Sequence, residues 1–140
     1  MNTFLGLARS GRKPRLTLWS LRFVATVYLA VVLAQPVLAG LFLTGSVDAI
    51  RLHGAVGSGV AVVGLVLMAV TVAYVIAGGR LWAIPAVVVL FVAAGLQIGL
   101  GHARALAVHV PLGVTVVTAS VLLAIWVWMP SAARPRGARR

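Results

Sequence analysis

A chain of 140 residues that is 62% hydrophobic and 9% charged, with a mean hydropathy of +1.12, lacks the polar surface of a soluble domain, where about a quarter of residues are charged. Twelve Lys and Arg against one acidic residue give a formal net charge of +11, and there is no cysteine. This excludes disulfides, thiolate metal sites, iron–sulfur clusters, covalently attached c-type haem and cysteine nucleophiles, and leaves an integral membrane protein short enough for one compact unit.

Residues 1–21 read as a basic cytoplasmic segment with Arg9, Arg12, Lys13 and Arg15, and with Trp19 as an interfacial anchor. No aromatic interleaving or folded platform accompanies these charges, so nucleic acid is not the expected partner. A first span is expected over 22–44, long enough for the ~20 residues a bilayer requires. The basic lead, the apolar run and Val37-Leu38-Ala39 also mimic a signal peptide with its cleavage site. Gln35-Pro36 and the apolar residues beyond them instead continue a full span, which Pro36 should kink by removing a backbone hydrogen bond. Residues 45–51 form a short loop that holds Asp48, the one acidic residue.

The second span is expected over 52–77, followed by a tight turn at Gly78-Gly79-Arg80. The third runs over 81–100, with Trp82 at its start and Pro85 in its first turn, where proline is tolerated. After a loop at 101–104, the fourth covers 105–129, with Trp126 and Trp128 at its exit. Pro130 ends it, and the basic tail 130–140, rich in Pro, Gly and Ala, is expected to be disordered. Short loops make an antiparallel four-helix bundle the natural packing, so the expected class is all-α.

The segment up to Arg22, the turn at Arg80 and the tail hold ten of the twelve positive charges, while the other two loops hold Arg51 and Arg104. The positive-inside rule then places both termini in the cytoplasm, in the cell membrane. It follows that His53 and His109 lie at the outer ends of the second and fourth helices, at equal depth.

The two histidines share a spacing. His53 is followed by Gly57 and Gly64, and His109 by Gly113 and Ser120, in each case four and eleven positions on. On a helix these positions lie roughly on one face, so each helix presents an imidazole above a floor of small side chains. A flat ligand such as haem fits that shape: imidazoles bind the metal and small residues let the rings approach the backbone. Gln35 and Gln97 stand toward the outer ends of the first and third helices, so the chain reads as two helix pairs related by an axis along the membrane normal. They are candidate acceptors for the second imidazole nitrogen, or ordinary interhelical hydrogen-bonding groups. Arg51 and Arg104 are candidates for pairing with haem propionates, or contact lipid headgroups. His102 is expected in a loop, as a pH-sensitive group or a spare ligand. Met68 and Met129 lie at the wrong depth for axial ligation and read as packing residues.

Across about 22–129, the pair His53 and His109 resembles one four-helix half of the haem A synthases. Such a half carries one histidine at the outer end of its second helix and another on its fourth. The resemblance implies a b-type haem between His53 and His109. In the family's catalytic half a glutamate precedes the first histidine by three residues, and here that position is Ile50; Asp48 would lie on another face. A haem-holding unit is therefore implied, and hydroxylation chemistry is not. Other small bacterial membrane families of unknown function share the alternation of glutamine and histidine helices, and the chain fits those equally.

No Asp or Glu occurs within the four spans, so proton-coupled export through a membrane carboxylate lacks its central group. Metal-assisted hydrolysis, serine triads, glycoside chemistry and dinuclear carboxylate sites fail for similar reasons. Gly57-Ser58-Gly59 lies inside an apolar span, where glycines serve packing rather than phosphate binding. The expected function is a bis-histidine haem b protein for electron transfer or haem handling, supplied by a quinol or a redox partner subunit. The alternative is a cofactor-free membrane subunit that binds a partner. Assembly as a homo-oligomer is compatible with either.

Overall fold

The computed structural model describes residues 15–134 and 136. Four long helices run up and down: α1 (Arg15–Leu43), α2 (Val47–Ile76), α3 (Ala83–His102) and α4 (Leu106–Trp128). A single turn, α5 (Pro130–Ala133), follows. Among the described residues there is no strand. Each long helix is apolar and long enough to cross a bilayer. Helix is what lipid demands of such segments, because every backbone N–H and C=O must be satisfied within the segment. The chain is an all-α, multi-pass membrane protein.

The helices overrun the sequence-based bounds where polar residues suggested loops. α1 begins at Arg15, not at 22, and α2 begins at Val47, not at 52. A helix satisfies its own backbone in water as well as in lipid, so arginines at its end do not stop it. Asp48 thereby enters the first turn of α2, where a carboxylate complements the helix dipole. α1 continues through Pro36. The expected flank carrying Arg9, Arg12 and Lys13, and tail residues 137–140, lie outside the described residues.

Three helices end alike. Ser46 N–H donates to Leu41 O and Gly45 N–H to Phe42 O; Gly79 and Gly78 repeat this on Tyr74 and Val75, and Ala105 and Arg104 on Leu100 and Gly101. These paired bonds are Schellman caps, which need one left-handed residue. Gly45 (φ 102°), Gly78 (φ 97°) and Arg104 (φ 55°) supply it, and only the last carries a side chain.

α1 packs on α2, α2 on α3, α3 on α4, and α4 returns to α1, while the diagonal pairs do not meet through their backbones. The buried positions repeat. Leu21, Ala25, Tyr28 and Val32 of α1 match Ala83, Val87, Leu90 and Ala94 of α3 at one constant offset. Val60, Gly64, Leu67 and Thr71 of α2 match Val116, Ser120, Leu123 and Val127 of α4 at another. Two helix pairs thus bury the same register around a pseudo-two-fold axis, as the matched His-Gly spacing suggested. Outside this core, Phe23, Val62, Val89, Val114 and Leu122 are exposed, a belt suited to lipid and not to water.

The expected disorder of the tail does not extend to its first residues. Ala132 of α5 is fully buried, and its carbonyl accepts from the buried Tyr74 hydroxyl at 2.8 Å. Arg136 donates from its guanidinium to Val75 O (2.8 Å) and from its backbone to Gly78 O (2.9 Å), at the C-terminal end of α2 where a cation is favoured. Composition reads this segment as unstructured, but docking against Tyr74 orders it.

Candidate functional site

His53 lies in the second turn of α2 and His109 in the first turn of α4. These helices are diagonal in the bundle, yet the two imidazoles reach across it to a centroid separation of 6.2 Å, with planes 63° apart. Each is fixed by the helix before it. His53 Nδ1 donates to the main-chain carbonyl of Gln35 (3.1 Å), and His109 Nδ1 donates to that of Gln97 (2.9 Å). A carbonyl has no proton to give, so Nδ1 of each ring carries a hydrogen, and in the neutral imidazole Nε2 then keeps the lone pair. Neither Nε2 has a hydrogen-bond partner among the described residues.

The glutamine side chains close the arrangement. Gln97 Nε2 donates to His109 O at 2.8 Å. With its amide turned to satisfy its neighbours, Gln35 Nε2 donates to His53 O at 3.2 Å and lies 3.2 Å from His53 Nδ1, while Oε1 accepts from Gly57 N–H at 3.2 Å. Each helix pair therefore carries a reciprocal Gln–His clasp. The halves differ at one atom: Gln97 Oε1 is buried with no partner. The residues were expected as acceptors, and it is their main-chain carbonyls that accept. No side-chain pattern marks a carbonyl, which is why sequence reasoning missed this role.

The small residues divide into two groups. Gly57 and Gly113 do not present bare backbone, because a glutamine amide lies against each. A Cβ at Gly57 would stand 3.7 Å from the Gln35 amide, and one at Gly113 only 2.7 Å from Gln97 Nε2. Gly64 and Ser120 lie deeper and serve packing. A Cβ at Gly64 would come within 2.9 Å of the Phe91 ring, and buried Ser120 donates to Val116 O in its own helix at 2.7 Å.

A cavity of about 540 Å³ opens between the four helices at this end, within the 300–1,000 Å³ range of ligand sites. His53, His109, Gln35, Gln97, Gly57 and Gly113 all border it, among mostly apolar neighbours such as Val32, Val60, Ala94 and Val116. Gly64, Ser120, Arg51 and Arg104 do not. Arg51 instead faces Asp48 at 3.7 Å on the exposed first turns of α2, and Arg104 forms the left-handed cap of α3. His102 is the last residue of α3, not of a loop; it borders the cavity and donates from Nδ1 to Ile98 O at 2.9 Å.

The donor set limits what fits. Among the described residues there is no cluster of three or more His, Cys, Asp or Glu. A bare transition-metal ion draws three or four ligands from protein. Two imidazoles alone suit an ion whose other ligands come from a macrocycle. His53 and His109, with ring centres 6.2 Å apart, would be the residues that hold such an ion. Comparison with protein-family models, with curated proteins and with solved structures finds no match for this chain.

Proposed function

We propose that this membrane protein holds a b-type haem between His53 and His109, near the outer face of the cell membrane, for electron transfer or haem handling. The observation that carries the reading is the pair: two imidazoles 6.2 Å apart, each anchored through Nδ1 to a carbonyl, each with Nε2 free. Ligation through Nε2 uses the neutral imidazole with its hydrogen on Nδ1, and a carbonyl on that nitrogen supports this form and fixes ring orientation. Held by both His53 and His109, a haem would supply one-electron exchange rather than oxygen activation. The chain's own residues do the rest. Gln35 and Gln97 hold the imidazoles, and the valines and alanines of the cavity exclude water. The charge distribution puts both termini in the cytoplasm. A quinol or a partner subunit would supply the electrons.

A second reading has its own support. The Gln–His clasps are made without any ligand, and the amides lie where a macrocycle was expected to meet glycine. On that reading the chain is a cofactor-free subunit whose polar pairs knit the bundle. Haem content of the full chain, purified after expression with ample haem, separates the two. The haem reading predicts loss of haem in His53→Ala and in His109→Ala, and retention in His102→Ala. Equal haem in all three variants contradicts the ligand assignment, and a haem-free wild type favours the cofactor-free subunit.

A further inference from the structure

At the end of the bundle remote from the histidines, one arginine is held in a way that no other arginine among the described residues is. Arg22 Nε donates to the carbonyl of Val127 at 2.9 Å, tying α1 to α4. Its guanidinium lies 4.9 Å from the ring centre of Trp19 and 5.1 Å from that of Trp128, and those two indoles meet edge to face at 5.6 Å. Cation–π contact on both rings and a carbonyl on Nε fix the plane of the group. The N–H groups of its two terminal nitrogens have no acceptor among the described residues. Tryptophan pairs of this kind sit at the headgroup level of a bilayer.

Directly inward of Arg22 runs a shallow groove between α1 and α4, bordered by Thr26, Leu29, Ala124, Ile125 and Trp128. Arg22, Thr26 and Leu29 follow one another along a single face of α1. Thr26 accepts from Trp128 Nε1 at 3.3 Å, so the groove's polar group is already used and its remaining lining is apolar. A fixed cation with free donors stands at the head of an apolar channel that faces lipid. We propose that this is a binding site for one anionic phospholipid: its phosphate accepts from the terminal nitrogens of Arg22 and an acyl chain lies along the groove. Planar guanidinium donors match phosphate oxygens. The proposal is independent of haem.

The test uses the full chain in nanodiscs made from equal amounts of phosphatidylglycerol and phosphatidylcholine with identical acyl chains. After extraction into neutral detergent, native mass spectrometry reads which lipid stays bound. Both lipids carry a phosphate that can accept from Arg22, but only phosphatidylcholine brings a quaternary ammonium up against the guanidinium, so wild type should retain phosphatidylglycerol over phosphatidylcholine by about tenfold. Arg22→Gln should bring the ratio to about one. Arg134→Gln removes an exposed charge at the same end outside the groove, and should leave the ratio unchanged. An unchanged ratio in Arg22→Gln overturns the proposal, and so does an equal fall in both variants, which would mean diffuse attraction to basic residues. If Arg22→Gln does not fold, Leu29→Trp decides. It fills the groove without touching the guanidinium: loss of the retained lipid supports the site, and wild-type retention overturns it.

Discussion

At the His53/His109 end, hydrogen bonds between side chains and main chain join α1 to α2 and α3 to α4, on either side of a cavity of about 540 Å³. At the other end they are joined by rings. Tyr74 packs on Trp126, Trp126 on Trp82 at 4.3 Å, and Trp19 on Trp128. The loop at Gly79 folds so tightly over Tyr74 that any Cβ there would strike the ring, and α5 lies over the Tyr74 hydroxyl. One end keeps space between two helix pairs that are each held by directed polar bonds, and the other fills space with flat, bulky groups. Directed bonds tolerate a gap, because two atoms at the right distance are enough; ring packing does not, because its energy comes from area in contact. An open cavity and a fold-closing element therefore occupy opposite ends of one bundle.

Substitution at the aromatic end should damage the fold and spare the site. Tyr74 is fully buried, and Tyr74→Ala should destabilise the protein by about 3 kcal/mol through cavity formation and loss of the bond to Ala132. Denaturation in detergent reads that loss, while the fraction of folded protein binding haem should stay at the wild-type value. Equal loss of haem in the folded fraction would mean that the two ends are not separable.

Within the histidine end the two clasps can be set against each other. At Gly113 a methyl group would displace the Gln97 amide, so Gly113→Ala should destabilise by about 1–3 kcal/mol. At Gly57 the same change meets only ordinary contact, and the gain in helix propensity, up to about 1 kcal/mol, should make Gly57→Ala neutral or stabilising. Thermal unfolding of the two variants side by side checks the sign difference. A smaller effect is expected at Arg104, the one non-glycine in a left-handed cap. Arg104→Gly should raise stability by about 0.5–1 kcal/mol. It should leave haem content unchanged, because the side chain does not border the cavity; a fall in haem content would return Arg104 to the site.

The four spans and the equal depth of His53 and His109 are legible from hydropathy and charge, because lipid leaves a segment few alternatives. The repeat is legible in the matched spacing after each histidine, and burial extends it to Leu21 and Ala83, or Leu67 and Leu123, which share little by identity. Helix ends are less legible: Arg15 and Asp48 read as loop residues, although a charged side chain ends no helix by itself. The order of Pro130–Ala133 depends on Tyr74, 58 residues away from Ala132, and local composition carries no trace of it. At the cavity, side-chain type points to four residues that the fold brings together, His53, His109, Gln35 and Gln97. It assigns the acceptor to the glutamine side chain instead of the carbonyl, and it reads Gly57 and Gly113 as open when amides lie over them.

What lies between the imidazoles is read from a reduced-minus-oxidised absorption spectrum of the purified wild-type chain, expressed with ample haem. Two axial histidines predict the sharp α and Soret bands of a low-spin b-type haem. A featureless spectrum from folded protein would contradict the claim and leave the Gln–His clasps as the bundle's own interhelical ties.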